Sequence, residues 1–164
     1  MLLANRNDGK PGARMKLGRA SLIALAACQP AASGALPIHY GKQGVERLIA
    51  QHKAVFRHYL SIWERGALDE LPSVVASNYV GHAASGDRDI GGLRERISAF
   101  RKLYPNVRFT IEDQIAEGDR VATRMTATAR SSATGKPVKL IGLNVSRFEG
   151  GSIAEEWPVW EAAR

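Results

Sequence analysis

Residues 115–124, Ile115-Ala116-Glu117-Gly118-Asp119-Arg120-Val121-Ala122-Thr123-Arg124, read as strand, tight turn, strand. Glu117-Gly118-Asp119-Arg120 is the turn signal, and Asp119 is most simply a turn residue. After it, Val121, Thr123, Met125 and Ala127 alternate with Ala122, Arg124, Thr126 and Thr128. That period of two marks a strand with one buried face. Upstream, Val107, Phe109 and Ile111 alternate with Arg108, Thr110 and Glu112. Turn signals at Ser132–Lys136 and Glu149-Gly150-Gly151-Ser152 set off a long strand over 138–148 and a last strand over 153–161. Consecutive hairpin-linked strands predict an antiparallel sheet.

Toward the N-terminus the period changes. Val45, Leu48, Ile49, His52, Val55, Phe56, Tyr59, Leu60 and Trp63 recur in steps of three and four, one apolar stripe on a helix. Gly66 is a natural C-terminal stop. Asp69–Ala76 reads as a short second helix, with Leu71, Val74 and Val75 inward. Asn78–His82 reads as an extended piece and 83–89 as a polar loop. Gly92–Tyr104 reads as a third helix that Pro105 ends. Helices followed by a run of strands predict an α+β domain over residues 45–164, in which N-terminal helices pack on a curved antiparallel sheet and enclose a pocket.

The 164 residues are 45% hydrophobic and 24% charged, enough for one domain with a substantial core. The net charge is +7. Residues 1–44 hold six Lys and Arg against one acid; residues 45–164 hold 17 against 15 acids. The domain itself therefore carries only +2, which argues against nucleic acid as a partner. The N-terminal excess reads as an address. Met15-Lys16-Leu17-Gly18-Arg19 is a basic flank, Ala20–Ala27 a short apolar run, and Leu25-Ala26-Ala27-Cys28 resembles a bacterial lipobox. On that reading residues 1–28 are extension and signal peptide, and residues 29–44 are a tether. Cys28 is lipidated, and the chain meets the membrane only through that anchor in the cell envelope. Cleavage after Ala35 is the secretory alternative, and whether Met1 or Met15 starts the chain stays open. Cys28 is the only cysteine, so no intrachain disulfide forms.

Ordered local patterns across roughly residues 50–161 resemble the SnoaL-like polyketide cyclases, also called ester cyclases, of the NTF2-like superfamily. They are Tyr79-Val80-Gly81-His82, Tyr104–Asp113, Ile115–Arg124, Thr134-Gly135-Lys136, Arg147–Ile153 and Glu155-Glu156-Trp157. The resemblance implies a cone-shaped fold and cofactor-free ring closure by intramolecular aldol chemistry. It also implies a base within a dry pocket, poised near the working pH. Glu161 stands four residues after Trp157, where the family usually has aspartate.

Glu161 and His82 are therefore the expected catalytic pair, Glu161 as base and His82 as donor or proton shuttle. Counting by twos from Ile153 puts Glu155, Trp157, Val159 and Glu161 on one face. Asn144, a polar residue within an apolar run, is a candidate oxyanion donor or a bulge position. Phe56, Tyr59, Trp63, Trp157 and Trp160 are expected to line or plug the pocket. Arg124 is expected either to pair with an acid across the sheet or to bind substrate. His52 and His58 are six apart, which is not ligand spacing, so no metal site is expected. The ligand is expected to be a small apolar or aromatic carbonyl compound. The expected roles are cyclase or isomerase, non-catalytic ligand binding, or an interaction module, and a homodimer through an open sheet face is expected.

Overall fold

In the computed structural model, which describes residues 41–163, the apolar stripe of the first helix winds α1 over Lys42–Arg65. The Cys28 lipobox, the segments before it and residues 29–40 of the expected tether lie outside the described residues. Gly66 stops α1 in the left-handed conformation (φ 74°) and returns its N–H to the Ile62 carbonyl. His52, Phe56, Tyr59, Leu60 and Ile62 are its buried residues. Leu68–Ser73 is a 3-10 helix rather than an α-helix, broken by Pro72. Val74 and Val75 are buried as expected, but Val75 already opens strand β1, Val75–Ala83. The expected polar loop contains a short strand β2, Gly86–Arg88, that doubles back on β1. Asp89 caps helix α2, Ile90–Leu103, by accepting from the Gly92 N–H at 2.8 Å.

The meander follows as β3 (Arg108–Glu117), β4 (Arg120–Arg130), β5 (Pro137–Glu149) and β6 (Ser152–Ala162). The order across the sheet is β2-β1-β6-β5-β4-β3. The expectation of a purely antiparallel sheet is corrected at one seam, because β1 and β6 run parallel. The chain leaves β1, crosses through α2 and the meander, and returns on the same side. α1 and α2 cover one face of this six-stranded, unclosed sheet, giving the α+β cone.

The helices are clasped as well as packed. The Glu64 carboxylate accepts from the Phe109 N–H at 2.7 Å, and Lys53 Nζ donates to the Gln114 carbonyl at 2.8 Å. Arg101 of α2 donates to the Trp63 and Glu64 carbonyls at the end of α1. Phe56, Ile62, Leu71, Ile97, Val121 and Ile153 are removed from water. Burial contributes about 1.5–3 kcal/mol for each such side chain.

One irregularity decides which face of β6 meets the helices. Phe148 pairs with Ile153, but the next residue, Arg147, pairs with Glu155. Ala154 is the extra residue of a β-bulge. Beyond it the alternation changes phase, so Glu156, Pro158 and Trp160 join Ile153 on the helix-covered face. Trp157, Val159 and Glu161 turn to the outer face. The period-two count from Ile153 is therefore corrected, because a shift of one residue exchanges the faces of a strand.

Deleting Ala154 is expected to remove the bulge and keep Glu156 inward and Trp157 outward, because Phe148–Ile153 and Arg147–Glu155 then become consecutive regular pairs. It should therefore destabilise the domain less than Ile153→Ala, for which a loss of about 2–5 kcal/mol is expected in urea unfolding.

Candidate functional site

Between the helices and the inner face of the sheet lies a cavity of about 520 Å³. That is within the usual range for sites that enclose small molecules. Its apolar wall includes Phe56, Leu60, Trp63, Phe100 and Phe109. Its polar wall is built at one point where α1, β1, β5 and β6 converge.

That point is Glu156, 5% exposed. The Tyr59 hydroxyl donates to Glu156 Oε1 at 2.8 Å, and the Tyr79 hydroxyl donates to the same oxygen at 2.5 Å. Asn144 Nδ2 donates to Oε2 at 3.2 Å, and also to the Ser146 hydroxyl at 3.2 Å. Each donor has a local reason for its place. Tyr59 lies on the buried stripe of α1. Gly81 pairs directly with Glu156, and a Cβ at residue 81 would lie 2.5 Å from the Tyr79 hydroxyl. Glycine there lets the Tyr79 ring lean along β1 to reach the carboxyl. Asn144 pairs with Pro158, two residues beyond Glu156, and is itself buried. In the same way Trp160 leans over Gly142, its partner on β5.

Burial pushes the Glu156 carboxyl above the ordinary carboxylate range. Hydrogen bonds from Tyr79, Tyr59 and Asn144 and the charge of Arg88 pull it partly back. Burial, followed by the charge of Glu156, raises both tyrosines and keeps their hydroxyls protonated. A carboxylate has about four acceptor positions, and the protein fills three here. Two more polar atoms of cavity-lining side chains lack a partner at hydrogen-bond geometry: the Trp63 indole N–H and Asn144 Oδ1. The set can hold a proton, give it back, and offer one donor and one acceptor to a guest.

The expected site residues divide between two faces. Tyr59, Trp63 and Asn144 line the cavity. His82, Glu161, Trp157 and Arg124 do not line it, which corrects the expectation that His82 and Glu161 meet there. His82 lies one residue beyond Gly81, hence on the opposite face of β1. It stacks on Trp157 with ring centroids 4.8 Å apart and sits 3.0 Å from Asp87 Oδ1 and 3.4 Å from Glu155 Oε2. Arg147 holds Glu155 at 2.7 Å, and Arg120 lies over the Trp157 ring at 5.4 Å. This cluster ties β1 to β6 from outside. Glu161 is exposed beside Ile141, and Arg124 faces outward opposite Leu143 and Asp113. Glu156, Tyr79 and Arg88 were missed by the sequence reading. The signal for Glu156 was the phase break at Ala154, which is visible only in strand register. No group of three His, Cys, Asp or Glu among the described residues is arranged to hold a metal ion.

Residues 53–164 match the family description SnoaL-like polyketide cyclase. No curated protein matches the chain. Among solved structures, IdmH from Streptomyces antibioticus, designated a polyketide cyclase, is 26% identical with a TM-score of 0.62, covering 68% of this chain and 92% of its own. AclR from Streptomyces galilaeus, designated a hydroxylase, is 24% identical with a TM-score of 0.62, covering 68% and 76%. A SnoaL-like polyketide cyclase from Agrobacterium tumefaciens is 20% identical with a TM-score of 0.61, covering 67% and 91%. The last two likenesses speak to fold alone.

The raised Glu156 carboxyl makes stability depend on pH. The folded state holds its proton more tightly than the unfolded chain does, so stability should fall as pH rises from about 4.3, the unfolded value, through the folded value. Urea unfolding across pH should show that Glu156→Gln removes this slope. Tyr79→Phe, which deletes a bond that favours the ionised form, should carry the slope to higher pH.

Proposed function

Since the chain belongs to the SnoaL-like polyketide cyclase family, we propose that its cavity closes rings by cofactor-free acid–base chemistry, with Glu156 as the proton-transfer group. The buried carboxyl under two tyrosine hydroxyls and an amide carries this reading. Ionised, Glu156 removes a proton from the carbon next to a carbonyl, breaking the C–H bond. The resulting enolate carbon attacks a second carbonyl of the same molecule and forms the new C–C bond. The proton then passes from Glu156 to the new alkoxide, which restores the carboxylate. A carboxyl raised above the ordinary carboxylate range suits both halves of this cycle. The free Trp63 N–H offers a donor to the polarised carbonyl oxygen, in water-excluded surroundings where such a bond is strongest.

The placement at the envelope through a lipid on Cys28 is part of the same proposal, supported by the Leu25-Ala26-Ala27-Cys28 motif. So is pairing of two copies. The outer face of the sheet exposes Ile115, Leu143 and Val159 at 68%, 51% and 67%, with Ile141 and Trp157 beside them. The registers put Ala122, Val145 and Trp157 in one row and Leu143 and Val159 in the next. An apolar sheet face of this kind favours a covered state. Leu143→Glu should halve the mass measured in solution; an unchanged monomeric mass in the native chain would remove this part of the reading.

The central test is exchange of the α-hydrogens of a fused-ring methyl ketone for deuterium, followed by NMR. The native chain should accelerate exchange, and Glu156→Gln should lower it by about 10²–10⁴-fold. The rate should rise with pH as Glu156 ionises, above the ordinary carboxylate range. Exchange that persists in Glu156→Gln would refute the assignment. Ligand binding without exchange in the native chain would leave a carrier rather than an enzyme.

A further inference from the structure

The cavity has a charged mouth that the proton chemistry does not use. Helix α2 presents Leu93, Arg96, Phe100 and Leu103 to the cavity, one stripe in steps of three and four. Three of these are apolar, and Arg96 is the exception. The other arginines of α2 have protein partners. Arg94 lies 3.9 Å from Asp69, and Arg101 is spent on the carbonyls that end α1. Arg96 has no carboxylate within ion-pair distance among the described residues.

Arg88 approaches from the end of β2. It also lines the cavity and also lacks a carboxylate partner among the described residues. Its partner is neutral, since Nη2 donates to the Ser85 hydroxyl. Its stem is directed by close packing, because a Cβ at Gly92 would lie 3.2 Å from Arg88 Cβ. The side chain thus runs past a helix turn that has no side chain to block it. Arg96 is exposed and Arg88 half-buried, so both stand where the cavity opens to water.

Glu156 is the only acid among the described residues that line the cavity. With Glu156 ionised, two arginines and one carboxylate leave a formal charge of +1; with it neutral, +2. Two forked guanidiniums at the rim of an aromatic-walled cavity, without protein carboxylates to satisfy them, suit an oxyanion on the guest. A single charge answers the +1 of the working state, which favours a carboxylate over a phosphate.

We propose that the guest is an aromatic carbonyl compound bearing a free carboxylate, which Arg88 and Arg96 receive at the mouth while the rings enter the apolar wall. This rests on the reading of the cavity as the substrate site, and it adds the class of substrate. Glu156 then sits at the inner polar wall, and the anion at the mouth orients the molecule by its tail.

The test is calorimetric titration of the full chain with anthraquinone carboxylate and with its methyl ester, which keeps the rings and removes the charge. The acid should bind about tenfold or more tightly than the ester at low salt, and the ratio should shrink as salt is added. Arg88→Gln and Arg96→Gln should each reduce that ratio and leave ester binding unchanged. Glu156→Gln should keep the preference for the acid, so loss of proton exchange and loss of anion recognition are read separately. Equal binding of acid and ester would overturn the proposal while leaving the cavity a binding site. Equal losses for both compounds in the arginine variants would also overturn it. Displacement of the acid by inorganic phosphate at equal concentration would overturn the carboxylate assignment. Failure of both compounds to bind at millimolar concentration would overturn this inference together with the substrate-site reading.

Discussion

A carboxyl group taken out of water must be neutral, hydrogen-bonded or both, because an isolated buried charge is too costly to keep. Glu156 meets that condition with donors from three separate elements: Tyr59 on α1, Tyr79 on β1 and Asn144 on β5. Bringing them together requires the first helix to lie across the sheet and β1 to lie beside β6. It also requires glycine at position 81, so that an aromatic ring can lean across the strand. Loss of any one donor leaves a buried group unsatisfied, at a cost of about 1–3 kcal/mol. The polar wall is thus a condition on the packing of the whole cone as well as a site.

The two faces of the sheet have separated chemistries. The inner face is largely apolar and holds one acid, two tyrosine hydroxyls and an amide. The outer face gathers the paired charges: Glu117, Arg120, Arg147 and Glu155 form one row across four strands. His82 belongs to that outer system, where Asp87, Glu155 and Trp157 engage it. Exposed pairs of this type are worth little individually in water. Their effect here is positional, since they hold β1 against β6 at the parallel seam, where the register is irregular between Val75 and Val80.

Burial separates the roles of the charged groups at the cavity. Desolvation acts on Glu156 because it is deep, so its proton affinity responds to every neighbouring donor. Arg88 and Arg96 stand nearer water, where a guanidinium costs little to keep, so they remain available for recognition. The same cavity can therefore combine a group whose protonation changes with groups whose charge is constant.

Much of the architecture was legible in the chain. The 24-residue α1 followed from a stripe repeated over many turns, and Gly66 marked its end. The hairpin turns followed from glycines that adopt positive φ, Gly118 and Gly150 among them. Tyr59 and Trp63 followed from the helical stripe of α1, and Asn144 stood out as a polar residue within an apolar run. Glu156 was not legible, and Glu161 was selected in its place, because Ala154 inserts one residue and reverses the faces beyond it. The parallel β1–β6 pairing was equally hidden, since it joins residues as far apart as Val75 and Ile153 by backbone bonds that leave no local pattern. The sequence by itself determined the two long helices, the four meander strands and the side each regular stretch buries, because those depend on spacing between near neighbours. The tertiary structure alone decided which carboxylate enters the cavity and which arginines reach its mouth, because those depend on strand register and on the approach of distant elements.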